Sequence, residues 1–277
     1  MIAFLTFFLA SGVKASAETI TIVSDSTYAP FEFKDSDQVY KGIDVDLIKA
    51  VAEASGWDYQ MTFPGFDAAV NAVQSGQADA IMAGMSVTAE RQKVFTFSDT
   101  YYDSAVVIAT TKSNKISKYS QLKGKTVGVK NGTSSQAFLE KNKDKYGFKV
   151  TSFDAGDNMY NSLKSGAVDA VMDDKPVIQY AISQGQDLRV SMKGEKVGSY
   201  AFAVKKGSKY EYLVKDFNKA LKKLKKDGSY DKIIAKWTAS DTDQTSSAKA
   251  TPVKDSYTIV MDSSFAPFEF QNDAGKY

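Results

Sequence analysis

Only a few of the residues able to do chemistry are available in this chain. Its 277 residues contain no Cys and no His, which removes thiolate nucleophiles, Ser-His-Asp triads, His/Cys zinc sites, disulfides and thioether lipid anchors. What remains is charge and hydrogen bonding. Ser86-Val-Thr88-Ala-Glu-Arg91 reads as a strand end followed by a Thr88 N-cap, with Arg91 in the first helical turn. A cation there opposes the helix dipole, so Arg91 is either an ordinary surface residue or one aimed at an anion. Gly128-Val-Lys130-Asn-Gly132-Thr133-Ser134-Ser135 is a second helix start. Its amides and hydroxyls could close on the same anion or simply cap a helix. Asp173-Asp174 follows the strand-like Ala167 to Met172, at the carboxyl edge where open α/β sheets hold ligands. That pair reads as an acid/base dyad, a cation site or a turn, and with an anion-directed Arg available the ammonium partner is preferred for Asp174. Asp25 also lies at a strand end and is followed by Tyr28 and Pro30. Arg for a carboxylate, Asp for an ammonium and aromatic rings for a side chain describe a zwitterion trap. An α-amino acid is the smallest ligand meeting all three demands.

These residues need a scaffold of strands and helices. Thr19 to Val23 reads as a strand, and Val45 to Gly56 has helical spacing closed by glycine. Asp67 to Gln74 reads as a helix and Ala78 to Met82 as a short strand. The same unit recurs about 90 residues on, because Val73-Gln-Ser-Gly76-Gln-Ala-Asp79-Ala-Ile-Met82 matches Leu163-Lys-Ser-Gly166-Ala-Val-Asp169-Ala-Val-Met172. Alternating strands and helices predict mostly parallel sheets, and the duplication predicts two similar α/β lobes. Ala105 to Thr110 and Tyr200 to Val204 are the expected crossings. Lobe 1 is then 18–108 with 203–238, and lobe 2 is 109–202. Lys215 to Lys226 reads as a solvated helical face, and Tyr230 to Trp237 as a closing amphipathic helix.

The ends differ from this body. Ile2 to Val13 is an apolar run, followed by Ala15-Ser16-Ala17 as a cleavage pattern, so 1–17 reads as a signal-peptide-like segment, although no Lys or Arg precedes the run. Residues 239–256 have the Ser, Thr, Asp and Ala composition of a linker. Beyond it, Thr258-Ile-Val-Met-Asp262-Ser-Ser-Phe265-Ala-Pro267-Phe-Glu-Phe270 repeats Thr21-Ile-Val-Ser-Asp25-Ser-Thr-Tyr28-Ala-Pro30-Phe-Glu-Phe33 at a constant offset of 237 (262 − 25). Residues 257–277 are therefore expected to open a second, tandem domain of a longer parent protein. The formal net charge of +2 is too balanced for a nucleic-acid groove or a polybasic membrane patch.

The blocks Asp25-Ser-Thr-Tyr-Ala-Pro-Phe-Glu-Phe33, Gly42-Ile-Asp-Val-Asp-Leu47, Ala83-Gly-Met-Ser-Val-Thr-Ala-Glu-Arg91, Phe97-Ser-Asp-Thr-Tyr-Tyr102 and Lys130-Asn-Gly-Thr133 resemble the polar amino-acid-binding proteins of ATP-binding cassette (ABC) importers. The resemblance covers 19–237. It implies the type II periplasmic-binding fold, no catalysis, no cofactor and no metal. It implies that Arg91 clamps the ligand carboxylate with Ser86 and the Thr133/Ser134 region, and that Asp174 and the Gly84 carbonyl take the ammonium. It also implies that Tyr28 and Phe66 sandwich the ligand side chain, with Met85 and Asp173 completing the surroundings. Asp25 and Lys130 then offer one acceptor and one donor, which match a carboxamide, so glutamine or asparagine is the expected ligand. Relatives of the glutamine type often carry His where Asp173 stands, and many Gram-positive relatives carry a lipobox Cys absent here. Together with the tandem repeat, this resembles the branch in which binding domains are fused to the permease at the outer face of the membrane. The expected partners are a free amino acid, the ABC permease with its ATPase subunits, and the second binding domain. A lyase using Asp173-Asp174 and a sensor ectodomain are the rival readings.

Overall fold

The computed structural model describes residues 18–192 and 194–238, and the backbone of two short strands near the end of the chain. Residues 1–17 and 239–256, read above as leader and linker, lie outside the described residues.

The first lobe begins with strand β1 (Ile20–Val23), a hairpin β2 (Phe33–Lys34) and β3 (Tyr40–Lys41), then helix α1 (Ile43–Ser55), β4 (Tyr59–Thr62), α2 (Phe66–Ser75), β5 (Ala80–Ile81) and β6 (Phe95–Phe97). The second lobe carries β7 (Val106–Thr111), β8 (Thr126–Lys130), α3 (Ser134–Tyr146), β9 (Lys149–Phe153), α4 (Gly156–Ser165), β10 (Ala170–Asp174), α5 (Lys175–Ser183) and β11 (Leu188–Val190). The chain returns to the first lobe with β12 (Ala203–Lys205), α6 (Glu211–Asp227) and α7 (Ser229–Thr238). Each lobe holds one five-stranded sheet, ordered β4-β1-β5-β12-β6 and β11-β7-β10-β8-β9.

The sheets are mixed rather than mostly parallel. β1 pairs parallel with β4 and β5, and β8 with β9 and β10, whereas β12 and β7 run antiparallel to their neighbours. The antiparallel strands are those next to the crossings between lobes, where no helix intervenes to enforce parallel pairing.

The crossings themselves differ from the expectation. β7 belongs wholly to the second sheet, and its residues divide between two cores, Val106 and Ile108 on one face, Val107 and Ala109 on the other. An unbroken apolar run is the signature of a strand buried on both faces, not of an exposed crossing. The chain passes between lobes earlier, over 98–105, and returns over 191–202. There the two segments pair with each other through the bridge Tyr102↔Tyr200, and Glu195 pairs with Val106 at the start of β7.

Both sheets are covered on both faces. In the first lobe, Ile43, Leu47, Ile48 and Val51 of α1 pack with Leu213, Phe217 and Leu221 of α6 on one face, and Phe66, Ala69 and Val73 of α2 lie on the other. The Lys-rich face of α6 lies opposite this apolar stripe, as its periodicity requires.

The internal repeat has a structural reason. Gly76 and Gly166 end α2 and α4 in the left-handed conformation, at φ 82° and 79°. Three residues later, the carboxylates of Asp79 and Asp169 each accept the backbone N–H at or just inside the start of the neighbouring strand, from Thr21 and Thr126, both at 2.8 Å. The duplicated aspartates therefore fasten each helix-to-strand turn to the adjacent parallel strand.

Of the terminal repeat, the backbone of Ser264–Phe265 and Glu269–Phe270 is described. These form an antiparallel pair with Phe265 opposite Glu269. The corresponding residues of the first copy, Tyr28 and Glu32, form the same bridge.

Replacing Asp79 with alanine strands a half-buried N–H, and thermal melts are expected to show a loss of about 1 kcal/mol. Asp169→Ala is expected to cost a similar amount, and an unchanged midpoint in both variants would contradict the fastening role.

Candidate functional site

The two sheets point their carboxyl ends at each other, and the residues singled out in the sequence gather between them. Asp25, Tyr28, Phe66, Gly84, Ser86, Arg91, Thr133, Ser134 and Asp174 line one cavity together with Ala83. The lobes are drawn together over it, leaving about 10 Å³, room for little more than one water.

Asp25 lies two residues beyond β1, where its Oδ1 accepts the N–H groups of Ser26 (2.6 Å) and Thr27 (3.3 Å). Its Oδ2 forms an ion pair with Lys130 at the end of β8. Both side chains are almost fully buried, at 2% and 3% exposure. Lys130 Nζ also lies 3.3 Å from the Thr27 carbonyl and 5.7 Å from the centre of the Tyr28 ring. The expected acceptor and donor are thus present, and they satisfy each other across the cleft.

Tyr28 is fixed by its own surroundings. Its hydroxyl bonds the Asp174 carboxylate and lies 2.8 Å from the Tyr200 hydroxyl. Its ring rests on Gly84, whose φ is 52°, and a Cβ at that position would come within 2.3 Å of the ring. Glycine is required there both by conformation and by space.

Arg91 departs from the expected local structure. It begins a single 3-10 turn, Arg91–Lys93, preceded by a Thr88 turn in which Thr88 Oγ1 accepts the Arg91 N–H at 3.2 Å. No α-helix follows, so the argument from an opposed helix dipole does not apply. The guanidinium is instead aimed by its own bonds, to the Ser86 carbonyl at 2.9 Å and across the cleft to the Gly132 carbonyl at 3.1 Å, over the Phe66 ring at 5.1 Å. Burial lowers its pKa to about 10, with Asp174 and Tyr28 opposing the shift, so it remains a cation at neutral pH.

On the opposite lobe, Thr133 is the N-cap of α3. Its Oγ1 accepts from the Gln136 N–H at 3.2 Å and donates to the Lys130 carbonyl at 2.8 Å. Capping occupies the hydroxyl, while Ser134 opens the helix beside Arg91's partner Gly132.

Asp173 and Asp174 are the last two residues of β10, so they extend the strand rather than follow it. Asp174 Oδ1 accepts from Ser104 Oγ at 3.2 Å. Asp173 turns the other way, its carboxylate accepting from Tyr160 Oη at 2.7 Å and from the Asp174 N–H at 2.8 Å. Burial, followed by the charge of Asp174, raises the Asp173 pKa to about 7. Burial also raises that of Asp174, against the hydroxyl donors and Arg91. Met85 is fully buried in the core beneath α2 and does not face the cavity.

Tyr200 and Ser104, from the two crossing segments, escaped the sequence reading. They link by a 3.0 Å hydrogen bond and join the hydroxyl chain that ends on Asp174. The sole signal available was an apolar run beginning at Tyr200. Among the described residues, no group of three or more His, Cys, Asp or Glu is placed to hold a metal ion.

A folded-state pKa raised above the unfolded value means that the folded protein binds more protons between the two. Stability from Asp173 is therefore full near pH 4 and is lost as pH rises through about 7. Asp173→Asn, which cannot ionise, is expected to raise the melting temperature of the ligand-free protein more at pH 8 than at pH 5. Equal effects at both would show that the buried carboxyl carries no such penalty.

Comparison with known proteins agrees with this architecture. Residues 20–240 match the family described as bacterial extracellular solute-binding proteins, family 3. The arginine-binding extracellular protein ArtP of Bacillus subtilis is 32% identical over 231 residues, covering 82% of this chain and 89% of its own. Substrate-binding domain 2 of Lactococcus lactis GlnP, solved in an open conformation, is 46% identical over 82% of this chain and 98% of its own, with a TM-score of 0.58. An ancestral arginine-binding protein is 37% identical; its glutamine-bound structure covers 80% of this chain and 99% of its own with a TM-score of 0.75, and its arginine-bound structure scores 0.74. The fold, the coverage and the binding-protein relatives agree, and the chain belongs to the bacterial extracellular solute-binding proteins, family 3, amino-acid-binding components of ABC importers rather than enzymes.

Proposed function

We propose that this chain captures a free L-amino acid with a carboxamide side chain, glutamine or the shorter asparagine, between its closing lobes and presents it to an ABC permease. The single observation carrying the reading is the buried Asp25–Lys130 pair at the cleft. A carboxamide offers N–H to Asp25 and C=O to Lys130, so it can insert between them and leave neither charge alone. A guanidinium or ammonium side chain would suit Asp25 but leave Lys130 facing a like charge, and an acidic one would reverse the conflict.

The rest of the trap then has named parts. Arg91 and the Ser86 and Thr133/Ser134 region take the carboxylate. Asp174 and the Gly84 carbonyl take the ammonium, while Tyr28 and Phe66 flank the side chain. Several of these groups bond across the cleft to each other, through Tyr28–Asp174, Asp25–Lys130 and Arg91–Gly132. Binding on this reading exchanges those contacts for ligand contacts while the lobes open and close. The TM-scores support a hinge, because the more similar sequence in an open conformation superposes less well than the ligand-bound, less similar one.

A second reading follows from ArtP, whose name assigns it arginine, and from the ancestral protein solved with either arginine or glutamine. Under it, Asp25 holds a guanidinium and Lys130 swings away. In both readings the chain acts outside the cytoplasm with the permease and its ATPase subunits. The repeated block at 257–277 supports a tandem second binding domain, and fusion to the permease would replace a lipid anchor while raising the local concentration of binding domain.

Calorimetric titration of residues 18–238 with glutamine, asparagine, glutamate, arginine and histidine separates the two readings. Glutamine binding at about micromolar affinity, roughly −8 kcal/mol, is expected, with binding abolished by Arg91→Ala. Lys130→Gln is expected to weaken glutamine and strengthen arginine; tight arginine binding by the unaltered protein would overturn the carboxamide reading.

Proton linkage gives a separate check. The ligand ammonium favours ionised Asp174, whose pKa burial raises above the ordinary carboxylate value, so affinity is expected to fall on acidification as that carboxyl takes up a proton in the free protein. A flat affinity from pH 8 to pH 5 would remove Asp174 as the ammonium partner.

A further inference from the structure

Two carboxyl groups from the motif blocks have no part in the trap described above. Glu32, from Pro30-Phe-Glu32-Phe33, and Asp44, from Gly42-Ile-Asp44, are both completely buried in the first lobe. Asp44 Oδ2 accepts the Gly84 N–H and the Tyr101 hydroxyl, each at 2.8 Å. Glu32 Oε1 and Oε2 and Asp44 Oδ1, by contrast, have no donor from any other group of the described protein. Three orphaned oxygens on two adjacent buried carboxyls would be very costly as two carboxylates. One proton relieves most of it, because a protonated Glu32 carboxyl can donate to Asp44 Oδ1, which partners two of the three oxygens and leaves the third as a neutral carbonyl.

We propose that Glu32 is held protonated and donates to Asp44 Oδ1, so that the pair shares one proton and fixes the 83–86 loop through the Asp44–Gly84 bond. Glu32 and Asp44 are then positioning residues for the amino-acid site, and the inference rests on the reading of that site given above. The assignment of the proton to Glu32 follows from the surroundings. Asp44 sits in the first turn of α1, where the helix dipole favours an anion, and receives two hydrogen bonds. Glu32 receives none.

The groups facing the pair act consistently with this assignment. Burial raises Glu32 well above the carboxylate range, Asp44 and Asp25 add to the shift, and Lys130 opposes it. Burial raises Asp44 to about 6 against the Gly84 N–H and the Tyr101 hydroxyl. Tyr101, itself beside Tyr200, stays a neutral donor because burial and both carboxyls raise its pKa.

The consequence concerns Gly84, whose carbonyl is assigned to the ligand ammonium and whose Cα supports the Tyr28 ring. When the shared proton is lost at alkaline pH, two buried anions repel, and the loop loses the geometry that binds ligand. Affinity therefore gains an alkaline decline, opposite in sign to the acid decline from Asp174.

Glutamine affinity measured by calorimetry from pH 6 to pH 9 on the wild type, Glu32→Ala and Glu32→Gln tests this. Glu32→Ala, which removes the donor, is expected to bind about tenfold more weakly at pH 7. Glu32→Gln, which donates permanently, is expected to restore binding and to show only the decline due to the ligand's own ammonium, with the wild type falling further. A Glu32→Gln protein with an unchanged melting temperature that binds as weakly as Glu32→Ala, or declines as the wild type does, overturns the proposal. Infrared difference spectroscopy with carbon-13 glutamate labelling needs no ligand, so it separates this inference from the choice of amino acid. A protonated-carboxyl carbonyl band in the wild type at pH 7 is expected, and its absence overturns the shared proton whether or not either variant folds.

Discussion

In the closed structure Asp25, Lys130, Asp173 and Asp174 are all buried out of water, and much of the site answers to that cost. Moving an ion from water into a protein interior costs several kcal/mol unless a counter-charge and hydrogen bonds replace the lost solvent. Two carboxylates end β10, one follows β1, and a single ammonium ends β8. The closed lobes meet the demand with what they have. Lys130 goes to Asp25, hydroxyls from Tyr28 and Ser104 go to Asp174, and the Tyr160 hydroxyl goes to Asp173. On the proposed reading, a zwitterionic ligand would supply one further cation and one further anion, matching Asp174 and Arg91 without changing the net charge of the closed cleft.

The same constraint explains the division of labour between sheets and loops. Asp25, Lys130 and Asp174 each stand at or just beyond a strand end, where the backbone is held by a ladder while the side chain reaches the cleft. The clamps that fasten those ladders are the repeated aspartates, Asp79 on Thr21 and Asp169 on Thr126. They tie the turns before β5 and β10 to β1 and β8, the strands that lead to Asp25 and Lys130. Placement of the site is thus inherited from the duplicated helix-glycine-strand unit. The crossing segments contribute differently, since Tyr200 and Ser104 bring hydroxyls to Asp174 from the hinge itself.

Much of this was legible in the sequence because it is local. The glycine-closed helices, the duplicated unit and the carboxylates at strand ends are all carried by spacing within about ten residues. Nine of the twelve expected site residues line one cavity. What stayed hidden depends on long-range pairing. Asp25 and Lys130 are 105 positions apart, and nothing in either neighbourhood says that they bond to each other. Thr88 and Arg91 carry a genuine capping signal, but the helix it announces stops after one 3-10 turn, because Phe95–Phe97 must turn at once into the sheet beside β12. Ala105 to Thr110 reads as a crossing in sequence because apolar β-branched residues do not by themselves distinguish a strand between lobes from one buried inside a lobe.

Glu32 shows why a buried charge in a motif is ambiguous in sequence and informative in structure. In Phe31-Glu32-Phe33 it alternates with aromatic residues, which suggests an outward polar position between inward apolar ones. The observed side chain is fully buried and Phe33 is the partly exposed neighbour. The inversion arises because Glu32 does not lie in a strand with one wet face. It closes a tight turn against Tyr28, and α1 begins from that turn, with the Ile43 and Asp44 N–H groups donating to the Pro30 and Phe31 carbonyls. Turn, helix start and carboxyl pair therefore form one unit beneath Gly84. That unit holds Gly84 through Asp44, and the Tyr28 ring rests on Gly84 while its hydroxyl reaches Asp174 across the cleft.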